Sequence, residues 1–344
     1  MLKEHRRALH AIPELDIHVP KTAAYVRKVL ENYPCRVFSP WGDAVCAYFD
    51  FGKTHTLAFR CDMDALPIRE DTGLPFASRH EGRMHACGHD GHMAIVLGLA
   101  DYLAEHPAQE NVLLIFQPAE ETIGGARELC LTGLLETYKV KRIFGLHLWP
   151  MLPKHQVASR AGGMMARASE LTVEIFGRSV HLAKWQDGTD ALAAAAEFIQ
   201  KAYAIDAPCL LRFGKLTSGS VRNAVSDYSR LEGSLRGFDD EVLTQVWERL
   251  QQIASESECE IRLHRSWGYP PVCNDAALLE WCKERYPITE TEACYIAEDF
   301  SEYQQRVPGV FFFLGTGGEP LHSPRFDFDE SVLDTGLALF RSLL

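Results

Sequence analysis

Five short apolar segments, residues 44–50, 56–61, 111–117 (NVLLIFQ), 142–148 (RIFGLHL) and 309–314 (GVFFFL), recur between longer mixed stretches, with helical patterns over 3–10 and 21–31 ahead of them. Short apolar runs alternating with longer amphipathic ones predict an α/β domain built on a mixed, mostly parallel sheet. The last four runs share a second property, which is polar residues at or just past their ends. Asp62 and Asp64 follow the first of these four, Glu120 and Glu121 the next, His147 lies at the end of the third, and the segment from Gly315 to His322 follows the last. Open α/β sheets collect their ligands outside the carboxyl ends of the strands. These residues, distant in sequence, are therefore predicted to converge.

From about Ser169 the texture changes to strand, helix, strand, strand, helix, strand, over 169–176, 189–205, 209–217, 226–237, 239–257 and 258–265. That order is a split β-α-β motif repeated once, a ferredoxin-like α+β layer of four strands with two helices on one face. It predicts an inserted domain at 167–268 between two parts of a first domain, 1–166 and 269–344. The second part contributes a helix at 275–285, the strand 309–314 and a final helix at about 329–343. With 344 residues, 47% of them hydrophobic, the chain is long enough to give each domain a core. No internal repeat or low-complexity segment interrupts it.

The formal net charge of -12, from 47 acidic against 35 basic residues, opposes binding to a phosphate backbone and argues against a nucleic-acid partner. The N-terminal stretch MLKEHRRALHAIPEL lacks the apolar core of a signal peptide, and no run is long enough to span a bilayer, so the expected location is the cytoplasm. Ten irregularly spaced cysteines do not resemble a disulfide framework. Cys46, Cys61 and Cys209 sit in apolar runs and read as core thiols, whereas Cys87 stands, apart from Ala86, among polar residues and glycine.

The densest chemical signal is MHACGHDGHMA, residues 84–94, which runs directly into an apolar helix. Cys87 and His89 stand two apart where the chain turns into that helix. Thiolate and imidazole suit borderline divalent metals, and the glycines let the backbone bend so that both face one point. The competing reading is a solvated, histidine-rich helix start. QPAEE, residues 117–121, puts two carboxylates after an apolar strand that Pro118 ends. Neighbours in extended chain point opposite ways, so one could bind a metal while the other acts as general base; taken alone, the pair could equally be surface decoration. His147 reads by itself as a hydrogen-bonded core histidine or a ligand, His322 as a loop histidine or a ligand, and Asp62 and Asp64 as turn residues or part of a site. The functional argument is joint, because all fall where an α/β sheet places its site.

RCDMDALP, MHACGHDGHMA, IFQPAEE, GLHLWP, GRSVH, AEDF and LHSPRFDFDE, taken in order, resemble the aminoacylase and carboxypeptidase-G-like metallopeptidases. The nearest branch is the amidohydrolases that include hippurate hydrolase, N-acetyldiaminopimelate deacetylase and auxin-conjugate hydrolases. The resemblance implies two divalent ions of zinc, manganese, nickel or cobalt type. Cys87 takes the bridging-ligand position, His89 and His147 one ion, and Glu121 and His322 the other. Glu120 takes the general-base position, drawing a proton from the attacking water and passing it to the leaving amine. Asp62 matches an aspartate that orients a ligand, and Asp64 reads as a structural turn residue. The inserted domain resembles a lid and homodimerisation domain. His181 in GRSVH matches its oxyanion histidine, and Asn223 and Arg236 lie near positions that hold the substrate carboxylate.

Two segments depart from the family pattern. After His181 relatives continue with small residues and then Pro-His, where this chain has LAKWQDGTD with Lys184 and Trp185, which implies a reshaped lid rim and altered substrate choice. In PELDIHVPKT, Val19 replaces a glutamate, a change expected to touch packing. The implied activity is hydrolysis of an N-acyl amino acid, with N-acetyl-L,L-diaminopimelate in lysine biosynthesis as the leading substrate. A hippurate-like aromatic acyl substrate or a dipeptide would use the same machinery. A metal-dependent binding protein without turnover and a hydrolase with Cys87 as nucleophile are the readings of other classes.

Overall fold

The computed structural model of the protein describes every residue except Trp267. The chain divides into two compact units, one of Met1–Met164, Val272–Glu292 and Asp299–Leu344, the other of Met165–Pro271 and Ala293–Glu298. In chain order the first unit opens with α1 (Leu2–His10), α2 (Pro20–Leu30), β1 (Arg36–Phe38), β2 (Val45–Phe49), β3 (Thr56–Asp62), α3 (His89–Glu105) and β4 (Asn111–Gln117). It continues through α4 (Gly125–Leu131), α5 (Leu134–Thr137), β5 (Val140–Trp149), β6 (Val157–Ser159) and β7 (Gly162–Met165). The second unit holds β8 (Arg167–Phe176), α6 (Ala191–Tyr203), β9 (Cys209–Ser218), β10 (Tyr228–Gly237), α7 (Asp240–Ser255) and β11 (Glu260–Arg265). The first unit resumes with β12 (Val272–Asn274), α8 (Ala276–Lys283), β13 (Thr289–Glu290), α9 (Ser301–Gln304), β14 (Gly309–Gly315) and α10 (Val332–Ser342).

The main sheet has the order β1-β2-β4-β3-β5-β14-β6-β13. Its centre, β4-β3-β5-β14, is parallel throughout, while β1, β2 and β6 join antiparallel. Strands buried on both faces read as continuous apolar runs, and β3, β4 and β14 are buried at every position. Parallel register aligns their ends, so Asp62 stands opposite Gln117 and His147 opposite Phe313. The core includes Phe59, Leu97, Phe116, Phe144, Phe312 and Phe340. The short strands β1, β6, β7, β12 and β13 and the helices α4 and α5 escaped the sequence reading, because runs of two to seven residues carry too few periods to register.

The second unit is an antiparallel sheet of order β11-β8-β10-β9. Leu171, Val173 and Ile175 alternate along β8 and bury against Phe198 and Ala202 of α6 and Val246 and Leu250 of α7, which puts both helices on one face. Asp190 and Asp239 cap these helices, each carboxylate accepting from two backbone N–H groups of the first turn. The segment Ala293–Glu298, which the sequence reading left in the first domain, groups with this unit. The reason is hydrogen bonding: the Ala166 N–H donates to the carbonyls of Cys294 and Ile296, and Arg236 donates to Tyr295.

Candidate metal centre

The turn before α3 places Cys87 ahead of Gly88, whose φ of 86° lets the chain reverse into the helix that starts at His89. Any Cβ at Gly88 would also press on Leu148. Both Cys87 and His89 are buried. Past β4, Ala119 adopts φ 64°, an uncommon conformation for a residue with a side chain. Its carbonyl accepts from the N–H groups of Gly124 and Gly125, which closes the loop around Glu120 and Glu121. His147 sits in β5, and His322 belongs to a loop with φ 63° whose N–H donates to the Ala86 carbonyl at 2.9 Å.

These residues form two groups with one member in common. Cys87, His89 and His147 make the first and Cys87, Glu121 and His322 the second, the potential ligand atoms within each group lying within 4.8 Å of one another. The Cys87 sulfur is 3.3 Å from His147 Nε2, and Glu121 Oε1 is 3.4 Å from His322 Nε2 and 3.9 Å from His89 Nε2.

The hydrogen bonds around the groups decide which atoms remain for a cation. His89 Nδ1 meets the Asp64 carbonyl at 2.8 Å and His147 Nδ1 the Leu148 carbonyl at 2.7 Å. A carbonyl only accepts, so in both rings the proton sits on Nδ1 and Nε2 presents its lone pair. His89 Nε2 is buried without a hydrogen-bond partner, and buried Glu121 Oε1 has only the long 3.4 Å approach of His322. That is a costly arrangement unless a cation sits there. Burial holds the His89 pKa below its usual value and lowers that of His147 to about 3, so both rings are neutral, as ligands must be. Burial, reinforced by the Glu121 and Glu120 carboxylates, pushes the Cys87 thiol well above its ordinary range. A thiolate at this place requires a neighbouring positive charge. Burial also works to raise the Glu121 carboxyl, but the bond to His322 outweighs it and holds the group low. Thiol, imidazole and carboxylate donors of this kind fit a pair of borderline divalent ions.

A further layer holds these side chains in place. The Asp64 carboxylate accepts the N–H groups of Glu120 and Glu121, each at 3.0 Å, while its carbonyl takes His89. Asp64 thus does far more than the turn-forming role read from the sequence. Asp62, expected to orient a ligand, makes its 2.6 Å bond to His92 Nδ1 and approaches His89 to 3.8 Å. His92 Nε2 in turn accepts the Leu148 N–H at 2.9 Å, which steadies the backbone beside His147. Although Asp62, His89 and His92 are close enough to suggest a third group, both nitrogens of His92 are engaged. The bonds from the Arg60 guanidinium and from His92 overcome burial and keep Asp62 well below the usual carboxylate range. Below the strand ends, buried Arg60 donates to Asp62, Gln117 and Asp299. The i, i+3 spacing of His89 and His92 on one helix face was the available signal for His92; Asp299 lies in AEDF, where the sequence reading assigned it no role.

The other predicted residues lie in the second unit. His181 precedes a 3₁₀ segment, Leu182–Asp187, and its Nδ1 accepts the Ala183 N–H. Asn223 is exposed, and its carbonyl accepts from Leu182. Arg236 already donates to Ser234 and to the Tyr295 carbonyl. Trp185 is 63% exposed.

Comparison with known proteins places this arrangement. Residues 58–344 match the family model described as peptidase family M20/M25/M40. N-acetyldiaminopimelate deacetylase of Lactobacillus acidophilus is 33% identical, with 98% of this chain and 96% of the relative covered. The enzyme of the same name from Shouchella clausii is 35% identical over 97% of this chain and 94% of its own. A Bacillus subtilis structure described as a dinuclear metal-binding peptidase of family M20 superposes with a TM-score of 0.89 at 31% identity, covering 99% of this chain and 96% of that one. Matches of this extent in sequence and in structure carry one conclusion: the chain belongs to peptidase family M20/M25/M40.

Proposed function

We propose that the protein is a metal-dependent amidohydrolase that cleaves an N-acyl amino acid, with an N-acetyl group as the leading acyl group. The observation that carries this reading is the meeting of the two ligand groups at the Cys87 thiol. His89 and His147 would hold one ion, Glu121 and His322 the other, and Cys87 both. The ions would polarise the substrate carbonyl and acidify an attacking water. Glu120, buried beside Glu121 and aimed by Asp64, takes a proton from that water and delivers it to the departing amine. His181 donates to the oxyanion, and Asn223 and Arg236 receive the substrate carboxylate. The relatives' activity supports N-acetyl-L,L-diaminopimelate, and hence lysine biosynthesis.

One observation favours a second acyl group. Trp185 stands exposed four residues after His181, a position where a large apolar side chain would suit an aromatic acyl group such as benzoyl. A nucleophilic Cys87 is disfavoured, because such cysteines have lowered pKa values whereas burial raises this one.

The test is amino-acid release from N-acetyl, N-benzoyl and dipeptide substrates by metal-reconstituted protein, by chelator-treated protein and by Glu120→Ala. Turnover that disappears with chelation and falls about a hundredfold or more in the variant is the expected result for a metal site with a general base. Activity that survives chelation, or an unaffected Glu120→Ala enzyme, would exclude this mechanism.

A further inference from the structure

Four of the five ligand residues are buried or nearly so, whereas the His322 side chain is 52% exposed. His322 also adopts a left-handed backbone conformation, which persists only where surroundings enforce it. Its loop is tied at two points by the backbone, His322 to Ala86 and Asp71 to Pro324. A further tie comes from the other end of the sequence.

Arg6 of α1 is almost completely buried. Its Nη1 donates to the Phe328 carbonyl at 3.2 Å and its Nη2 to Asp327 at 2.5 Å, with Glu330 3.5 Å away and the Phe328 ring 3.7 Å from the guanidinium carbon. Its Nε donates to Asp90 at 3.3 Å, and Asp90 directly follows the ligand His89. His10 braces the same carboxylate at 2.8 Å and reaches Glu70 at 3.2 Å. One planar guanidinium therefore spans the start of α3, which carries one ligand group, and the segment 327–330, which follows the loop carrying His322. A rigid fork that satisfies several acceptors at once is the arrangement for which lysine is no substitute.

We propose that Arg6 is a positioning residue for the second metal position: by clamping Asp90 to the segment 327–330 it holds His322 in register with Cys87 and Glu121. This rests on the assignment of Cys87, Glu121 and His322 to one ion. Arg6 touches neither ligands nor substrate; at its α3 end Asp90 keeps its bond to His10 and His89 its bond to the Asp64 carbonyl, so the loss of Arg6 falls chiefly on the His322 loop. The first position, formed by Cys87, His89 and His147, contains no residue from that loop. Loss of Arg6 should therefore separate the two binding steps, which a general loss of stability would not do.

Calorimetric titration of metal-free protein with cobalt(II), followed in parallel by its visible absorption, resolves the two steps. Wild type should take up two equivalents. Arg6→Lys, Arg6→Met and the milder Asp327→Asn should raise the dissociation constant of the weaker step about tenfold or more, the range seen when supports of metal ligands are removed, and leave the tighter step within about twofold. His322→Ala marks complete loss of that step. Lys201→Met, which removes exposed pairs with Glu197 and Glu256 in the second unit, should bind as wild type. If Arg6→Met does not fold by circular dichroism, Asp327→Asn and Arg6→Lys decide the matter. Two unchanged steps, or two steps weakened together, would overturn the positioning role while leaving the dinuclear reading intact. Fewer than two equivalents in wild type would remove the dinuclear reading and the proposal with it.

Discussion

Asp64 shows how much one buried carboxylate can organise. Each of its oxygens accepts one N–H, from Glu120 and from Glu121, so the two glutamates are aimed through their backbones by a single side chain. Asparagine has nearly the same shape but only one accepting oxygen, and its NH2 would face one of the two donors. Asp64→Asn should therefore leave the fold intact and lower kcat about ten- to a hundredfold, the cost expected when the support of a site residue is lost. Steady-state kinetics with circular dichroism checks this, and a variant with wild-type kcat would remove Asp64 from the aiming of Glu120. The sequence marks Asp64 and Asp62 alike, two acidic residues beyond one strand. Their separate tasks depend on which distant N–H groups and rings lie opposite them, and no local pattern encodes that.

At the scale of elements, the strand-to-helix connection after β4 is the most tightly built part of the site. A Cβ at Gly125 would lie 2.0 Å from the Pro118 carbonyl oxygen, a backbone atom that cannot step aside without moving the loop bearing Glu120 and Glu121. Gly125→Ala should cost about 1–3 kcal/mol of stability, as overpacking does, and lower activity as well. Thermal unfolding and kinetics measured together test this, and a variant with both values unchanged would show that the loop is softer than its geometry implies. The residues that made β3, β4, β5 and β14 legible are the apolar runs themselves. The caps Asp190 and Asp239 likewise stand where the helical patterns begin. The helix α4 was not legible, since its seven residues start from a turn that the Ala119 carbonyl organises rather than from a cap in its own sequence.

For the molecule as a whole, the buried charges around α1 predict how stability responds to pH. His10 is buried, which disfavours its charged form, but its bond to Asp90 and a further one to Glu70 outweigh that and raise its pKa from 6.5 to about 9. A folded-state pKa above the unfolded value stabilises the native state fully below about pH 6.5, and this contribution is lost as pH rises through about 9. The melting temperature of metal-free protein should therefore fall between pH 7 and 9.5, and His10→Gln should be less stable at pH 6 with a flatter profile across that window. Parallel profiles for the two proteins would show that His10 carries no linked proton.

The sequence by itself determined the α/β and ferredoxin-like textures, the strand ends where ligands gather, and the set of side chains able to bind metal. Each of these is written locally, as periodicity, as a capping residue or as a side-chain type. Tertiary structure alone decided which atoms of that set stay available. His89 keeps one ring nitrogen while His92 spends both, Asp62 goes to His92 while Asp64 aims the glutamates, and Ala293–Glu298 joins the second unit. The physical reason is common to all of them. A buried donor or acceptor must find its partner in three dimensions, and here those partners come from segments that the sequence leaves far apart.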